Sequence, residues 1–161
     1  MDTREFIRKT KPGDWVEIER KKYKIVQKVL WLMLVSDDQY FKYVLKDEQG
    51  SPDYRLVPDE EKDQYIFVKM MNNKLKPPFP KKVKIIGIDF KQTYGEWCRV
   101  SKIWGKKIYK IGDEEIWWDY EDGKGNYLSI GWNNKTGKRE DLIGRWVRKV
   151  EEQNFSGRLK G

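Results

Sequence analysis

A short acidic stretch in the second half of the chain carries the side chains best suited to chemistry. Closely spaced carboxylates can bind a hard cation or act as the acid and base of a glycoside hydrolase. The spacing matches neither an EF-hand nor another dedicated metal-binding loop. We therefore interpret the stretch as a solvated turn, and we expect no metal and no cofactor. The residues concerned are Asp113, Glu114, Glu115, Asp119, Glu121 and Asp122.

The chain lacks the side chains of most nucleophilic catalysis. It has no histidine, which excludes Ser-His and Cys-His pairs and imidazole metal ligands. The one cysteine, Cys98, follows Trp97 in a predicted strand, where a small buried side chain is more common than a nucleophile. Gly123-Lys124-Gly125 is typical of a turn rather than a phosphate-binding loop, because carboxylates flank it. These features favour a protein that is not an enzyme.

Aromatic residues are the stronger candidates for contact with a ligand or partner. Residues 116–132 predict a β-hairpin, since aromatic runs flank a turn rich in glycine and asparagine. Trp117 and Trp118 should point to opposite faces of their strand, and an exposed tryptophan can stack on a sugar, a base or a partner side chain. The alternative is that these aromatics fill a core without alanine. The candidate contact residues are Trp117, Trp118, Asp119, Tyr120, Tyr127 and Trp132.

The net charge of +8 is unevenly distributed along the chain. Residues 67–111 carry 12 Lys and Arg against 2 Asp and Glu. Such a segment could bind nucleic acid or another anion, but lysine-rich surfaces are also common in heat-adapted proteins. Lysine greatly outnumbers arginine, the usual reader of phosphates and bases, so we favour the second interpretation. The possible anion contacts are Lys81, Lys82, Lys84, Lys102, Lys106 and Lys107.

The elements that must position these residues are mostly strands. The chain has no alanine, is 14% aromatic and is rich in isoleucine and valine, which favours β-structure over helix. We expect one short helix at 2–9, and strands that include Lys82 to Ile88 and Lys107 to Ile111. The proline-rich segment 72–81 interrupts the pattern, because proline cannot donate to a β-ladder.

Recurring motifs divide the chain into two similar halves. Gly13-Asp14-Trp15 is echoed by Gly95-Glu96-Trp97, and Tyr23-Lys24-Ile25 by Tyr109-Lys110-Ile111. Tyr43, Asp47 and Gly50 recur as Trp118, Asp122 and Gly125. We therefore expect an internal duplication within one domain. Its halves, 11–71 and 82–152, would each form an antiparallel β-meander or barrel-like unit, joined by the linker 72–81.

The order of these motifs resembles a bacterial family called domain of unknown function 4178. The likeness covers most of the chain but rests on strand and turn positions. Two departures stand out, since Lys42 and Gly131 occupy positions at which the family tends to have glutamate. The resemblance implies an uncharacterised bacterial protein and no activity. The stretches that carry it are Gly13-Asp14-Trp15-Val16, Tyr23-Lys24-Ile25-Val26, Tyr40 to Leu45, Asp47, Gly50, Leu56, Tyr127-Leu128-Ser129-Ile130, Trp132 and Gly144-Arg145-Trp146-Val147.

Location and function follow as expectations. The charged N-terminus does not suit a signal peptide, the longest apolar run is too short to span a bilayer, and a lone cysteine suits a reducing compartment. We expect a cytoplasmic protein. The leading hypothesis is a non-enzymatic β-module that binds a protein partner or a small ligand between its halves. The alternatives are nucleic-acid binding through the basic segment and a carboxylate-based hydrolase.

Overall fold

Alternating apolar residues and turn-forming pairs build an antiparallel sheet over most of the chain. The computed structural model describes residues 2–106, 108–133 and 135–153. Its helix is α1 (Thr3–Lys9), capped by Asp2, whose carboxylate accepts the amide hydrogen of Glu5. The strands are β1 (Trp15–Ile18), β2 (Lys21–Met33), β3 (Gln39–Lys46), β4 (Tyr54–Asp59), β5 (Gln64–Met71), β6 (Lys82–Ile85), β7 (Ile88–Gly105), β8 (Glu114–Glu121), β9 (Asn126–Trp132), β10 (Arg139–Val147) and β11 (Glu151–Gln153).

Eight of these strands close into a barrel in the order β2, β3, β4, β5, β10, β9, β8, β7. Closure is made by antiparallel pairing of β2 with β7, from Gln27↔Gly105 to Met33↔Cys98. β2 and β7 pair with each other over only part of their length. The rest of the same edge of each strand pairs with a further strand. β1 extends β2, with β11 beyond it, and β6 extends β7. The prediction of a mostly β, barrel-like fold with little helix is confirmed.

The two predicted halves contribute equally to the barrel. Strands β2 to β5 come from 11–71, and strands β7 to β10 come from 82–152. The two four-stranded meanders meet at β2–β7 and at β5–β10, both antiparallel. The turns that start at Asp47 and Asp122 have matching hydrogen bonds, since each aspartate accepts the amide hydrogens two and four residues later.

The other two motif pairs do not occupy matching places. Gly13 lies in the turn before β1, whereas Gly95 lies within β7. Tyr23 lies in β2, whereas Tyr109 lies in the loop between β7 and β8. The topology is compatible with a duplication, which stays a prediction.

Two predicted strands differ from the structure. Lys82 to Ile88 is a hairpin, because Ile86 and Gly87 both adopt positive φ and turn β6 into β7. Isoleucine is rare in that conformation, so no turn was expected. Residues 108–111 form a loop, and Lys107 lies outside the described residues. That loop closes one end of the barrel, since Gln27 makes two side-chain hydrogen bonds of 3.0 Å to the backbone of Tyr109.

The buried side chains form three clusters. One fills the barrel interior and includes Trp31, Val44 and Trp117. A second lies outside the barrel under α1, where Phe6 packs edge-on against Tyr43 and Tyr65. The third is covered by β6 and by the segment 72–81. From this segment Phe79 packs against Trp118, with 4.7 Å between the ring centroids. Among the described residues, no helix has the length and apolar character needed to cross a membrane.

Candidate functional site: the interior and mouth of the barrel

Strand alternation divides the six aromatic and acidic candidates between the two faces of the sheet. Trp117 and Tyr127 belong to the interior cluster, and Asp119, two residues after Trp117 on the same face of β8, lines the same space. Trp118 and Tyr120 belong to the outer cluster beneath residues 72–81. Trp132 follows Leu128 and Ile130 in alternation on that outer side. The structure therefore brings three of the candidates together inside the barrel and places the other three against its outer wall.

A cavity of about 750 Å³ occupies the open end of the barrel and extends past the rim towards α1, where Ile7, Leu30 and Phe41 line it. The β2–β3 and β4–β5 turns form part of its rim. This volume lies within the range of small-molecule sites in proteins. Its inner lining includes the aromatic side chains of Tyr40, Trp117, Tyr127 and Trp146 and the carboxylates of Glu96, Asp119 and Glu121.

Asp119 occupies the centre of the cavity wall. Its carboxylate accepts hydrogen bonds of 2.7 Å from the hydroxyl groups of Tyr127 and Ser129. Burial raises the pKa of Asp119, and the two hydroxyl groups act in the opposite direction. Because Tyr127 and Ser129 alternate on the neighbouring strand β9, the register Asp119↔Ser129 brings both hydroxyls to one carboxylate.

Neutral donors also hold the other two inner carboxylates. The indole Nε1 of Trp146 donates to Glu121 at 2.7 Å, next to the rim. The Tyr94 hydroxyl donates to Glu96 at 3.0 Å on the opposite side. Trp146 packs edge-on against Tyr127, with 5.9 Å between the ring centroids. These two aromatic side chains therefore form a continuous wall from the rim to Asp119. Among the described residues, no group of three or more Cys, Asp or Glu side chains converges into a metal site.

A network of buried charges lies below the cavity. Glu140 forms ion pairs with Lys42 at 3.7 Å and with Arg55 at 3.3 Å, and it accepts a short hydrogen bond from the Tyr109 hydroxyl. Burial alone would raise the pKa of Glu140, but Lys42 and Arg55 outweigh it and leave that pKa below its ordinary value. Burial lowers the pKa of Lys42, against the opposing effect of Glu140.

Glu115 completes this network from β8. Burial, and then the negative charge of Glu140, raises the pKa of Glu115 to about 7. Its Oε2 atom has no hydrogen-bond partner among the described residues. Burial therefore favours the protonated form of this carboxyl group.

Lys42 and Gly131, the two residues that depart from the family pattern, both lie next to the Trp117 side chain. The Lys42 ammonium lies against the Trp117 indole ring, 3.5 Å from its centroid. At Gly131, an added Cβ would lie 2.6 Å from Cη2 and Cζ3 of the same indole. Trp117 therefore fills the space that a side chain at position 131 would need.

The predicted anion contacts do not form one surface. Lys81, Lys82 and Lys84 lie on or beside the edge strand β6, where Lys84 pairs with Asp89 at 3.7 Å. Lys102 and Lys106 are exposed at the far end of β7. At a rise of about 3.3 Å per strand residue, the two groups lie roughly 30 Å or more apart along β7. Lys107 lies outside the described residues.

Comparison with known proteins identifies a family for this chain. The sequence profile of the domain of unknown function 4178 family (DUF4178) matches residues 11–149, which span the barrel from the turn before β1 to the end of β10. The chain belongs to this family. No curated protein and no solved structure matches the chain. Membership of DUF4178 identifies no activity, so the cavity and its side chains are the basis for any functional argument.

The sequence did not identify the charged network of this DUF4178 barrel. Lys42, Arg55 and Glu140 come from three different strands, and none of them was singled out as a contact residue. One signal was present, because Lys42 alternates with Tyr40 and Val44 in a strand of otherwise apolar inward positions. A charge at an inward strand position indicates a buried partner.

Proposed function

We propose that the protein is a non-enzymatic binding module that holds a small ligand in the open end of its barrel. The observation that carries this proposal is the cavity of about 750 Å³, whose walls combine aromatic rings with a few fixed polar groups. Eight-stranded barrels are of the size that can hold one small ligand. This proposal places the ligand inside the barrel that the two halves build together.

The interior supports binding more than catalysis. The inner carboxylates Asp119 and Glu121 are engaged by neutral hydrogen-bond donors, which fix their positions. Groups held in this way are preorganised to recognise a ligand, since little side-chain entropy remains to be lost. The chain also has no histidine, and Glu115, the carboxyl group whose pKa is raised to about 7, does not line the cavity.

Two measurements test the proposal. Native mass spectrometry of the purified protein detects a small molecule that copurifies with it. A thermal-shift screen with cationic, neutral and anionic metabolites detects added ligands, because a ligand that binds only the folded state raises Tm. The proposal expects a bound compound in at least one of these measurements. It is overturned if native mass spectrometry shows only the bare chain and no compound in any charge class raises Tm.

A matched pair of variants locates the binding. Ile66→Trp introduces a large side chain into the cavity wall and should abolish binding, whereas Lys69→Trp places the same side chain at an exposed position of the same strand. Thr93→Trp at the rim serves if Ile66→Trp lacks the circular dichroism spectrum of the folded protein. Ligand binding that survives both cavity variants would place the ligand elsewhere and overturn the proposal.

A further inference from the structure

The charge of the cavity is opposite to that of the chain. The protein carries a formal net charge of +8. Among the described residues, however, seven carboxylates and only two lysines line the cavity. The acidic residues are Asp38, Asp59, Glu60, Glu61, Glu96, Asp119 and Glu121, and the lysines are Lys42 and Lys62. A cleft lined by one sign of charge attracts ligands of the opposite sign.

In the part of the chain that the structure describes, the inner carboxylates form no ion pair. None of the ion pairs formed within the described residues includes Glu96, Asp119 or Glu121. The Lys42 ammonium acts on Asp119 through its charge, and it is already paired with Glu140. A buried carboxylate without a counter-ion is costly, and a cationic ligand would relieve that cost. Burial raises the pKa of Asp119, and Ser129, Tyr127 and the Lys42 charge offset this only in part.

The aromatic walls already hold ammonium groups of the chain. At the floor, the Lys42 ammonium lies 3.5 Å from the centre of the Trp117 ring. At the rim, the Lys62 ammonium lies 4.2 Å from the centre of the Trp146 ring, whose indole nitrogen donates to Glu121. The faces of aromatic rings attract cations. Both ends of the wall are therefore suited to an organic ammonium group.

A polar group of the wall is also unused. Trp117 is only 5% exposed and lines the cavity, and its indole Nε1 has no hydrogen-bond partner among the described residues. A buried donor of this kind is normally satisfied. This nitrogen has almost no accessible surface, so a ligand reaches it only if neighbouring side chains move.

We infer that the cavity binds a small organic ammonium compound between the Asp119 carboxylate and the aromatic side chains Tyr127 and Trp146. The inference rests on the proposed ligand binding and names its chemical class. The Lys62 ammonium occupies the Trp146 face at the rim and gives way when the ligand enters. Lys42 stays in place, because its ion pair with Glu140 holds it below the ligand.

Two probe sets that differ in charge test the inference by isothermal titration calorimetry at fixed ionic strength. The first is choline, 3,3-dimethyl-1-butanol and 3,3-dimethylbutanoate. The second is butylammonium, 1-butanol and butanoate. In each set the cation is expected to bind about tenfold or more tightly than its neutral and anionic counterparts. Calcium chloride is included as an inorganic cation.

Variants with matched controls connect the binding to named residues. Asp119→Asn and Glu121→Gln should each weaken binding of the best cationic probe by about tenfold. Glu48→Gln removes an exposed carboxylate that does not line the cavity and should change affinity by less than about twofold. Lys62→Met should strengthen binding, because it removes the ammonium that competes for the Trp146 ring. Circular dichroism of each variant confirms that it is folded.

Each contrary outcome has a distinct meaning. Neutral or anionic probes that bind as tightly as the cations would overturn the ammonium inference and leave a ligand-binding cavity. Calcium that displaces the organic cation would overturn its organic character. Absence of binding by both probe sets would also overturn the inference, and the metabolite screen would then decide separately whether the cavity binds any ligand.

Discussion

Lys42 holds its ammonium nitrogen 3.5 Å from the centre of the Trp117 ring, inside the barrel. Both side chains are almost fully buried, at 4% and 5% exposure. A cation on an aromatic face contributes about 2 kcal/mol or more when water is excluded. The arrangement depends on a third position, because the Trp117 ring lies where a side chain at Gly131 would be.

Gly131→Ala is expected to destabilise the barrel. The added Cβ would lie 2.6 Å from two carbon atoms of Trp117, and overfilling a packed core costs about 1–3 kcal/mol. Urea denaturation followed by tryptophan fluorescence measures the loss. Gly95→Ala is the control, since the nearest neighbour of its Cβ would be at 3.4 Å. Equal free energies of unfolding for G131A and G95A would contradict the role assigned to Gly131.

Removal of Glu140 should cost more stability than removal of Lys42. Glu140→Gln leaves the buried cations Lys42 and Arg55 without the carboxylate they share, and an uncompensated buried charge costs about 3–5 kcal/mol. Lys42→Met leaves the pair of Arg55 and Glu140 intact and should cost less. Urea denaturation of both variants at pH 7 makes the comparison. A larger loss for K42M than for E140Q would refute the prediction.

Glu115 should make the protein less stable as the pH rises. Its pKa is about 7 in the folded protein against an ordinary 4.5, so between these values the folded state binds the proton more strongly. The contribution of Glu115 is fully present below about pH 4.5 and is lost as the pH rises through about 7, by roughly 3 kcal/mol at most. In Glu115→Gln this dependence is removed.

The comparison of E115Q with wild-type cancels the titration of groups that do not interact with Glu115. The free energy of unfolding of E115Q relative to wild-type should therefore increase between pH 5 and pH 8. Urea denaturation at several pH values measures it. A difference that stays constant across this range would show that Glu115 has an ordinary pKa.

Local sequence patterns predicted the elements of the fold better than its closure. The hairpin at 116–132 was predictable because Gly123 and Gly125 both adopt the positive φ that its turn requires. Barrel closure was not, since Met33 pairs with Cys98 and the two lie far apart in the chain. The same distance hid the charged network, in which Lys42, Arg55 and Glu140 meet only after the barrel has closed. Strand alternation placed Trp117 and Trp118 on opposite faces, but it could not say which face would line a cavity.

Cys98 should be protected from thiol reagents in the folded protein. Its side chain is 1% exposed, and burial raises its pKa to about 12, against opposing effects of Tyr40 and Lys42. The reactive thiolate is therefore about a thousandfold scarcer near pH 8 than for an ordinary thiol of pKa 9.0. Reaction with 5,5′-dithiobis(2-nitrobenzoic acid) should be slow in buffer and rapid in 8 M urea, with glutathione as the control for the reagent. Because Cys98 also lines the cavity, a ligand that fills the open end should slow the reaction further. Equal rates in buffer and in urea would mean that the barrel interior is open to the reagent, contrary to the burial of this thiol.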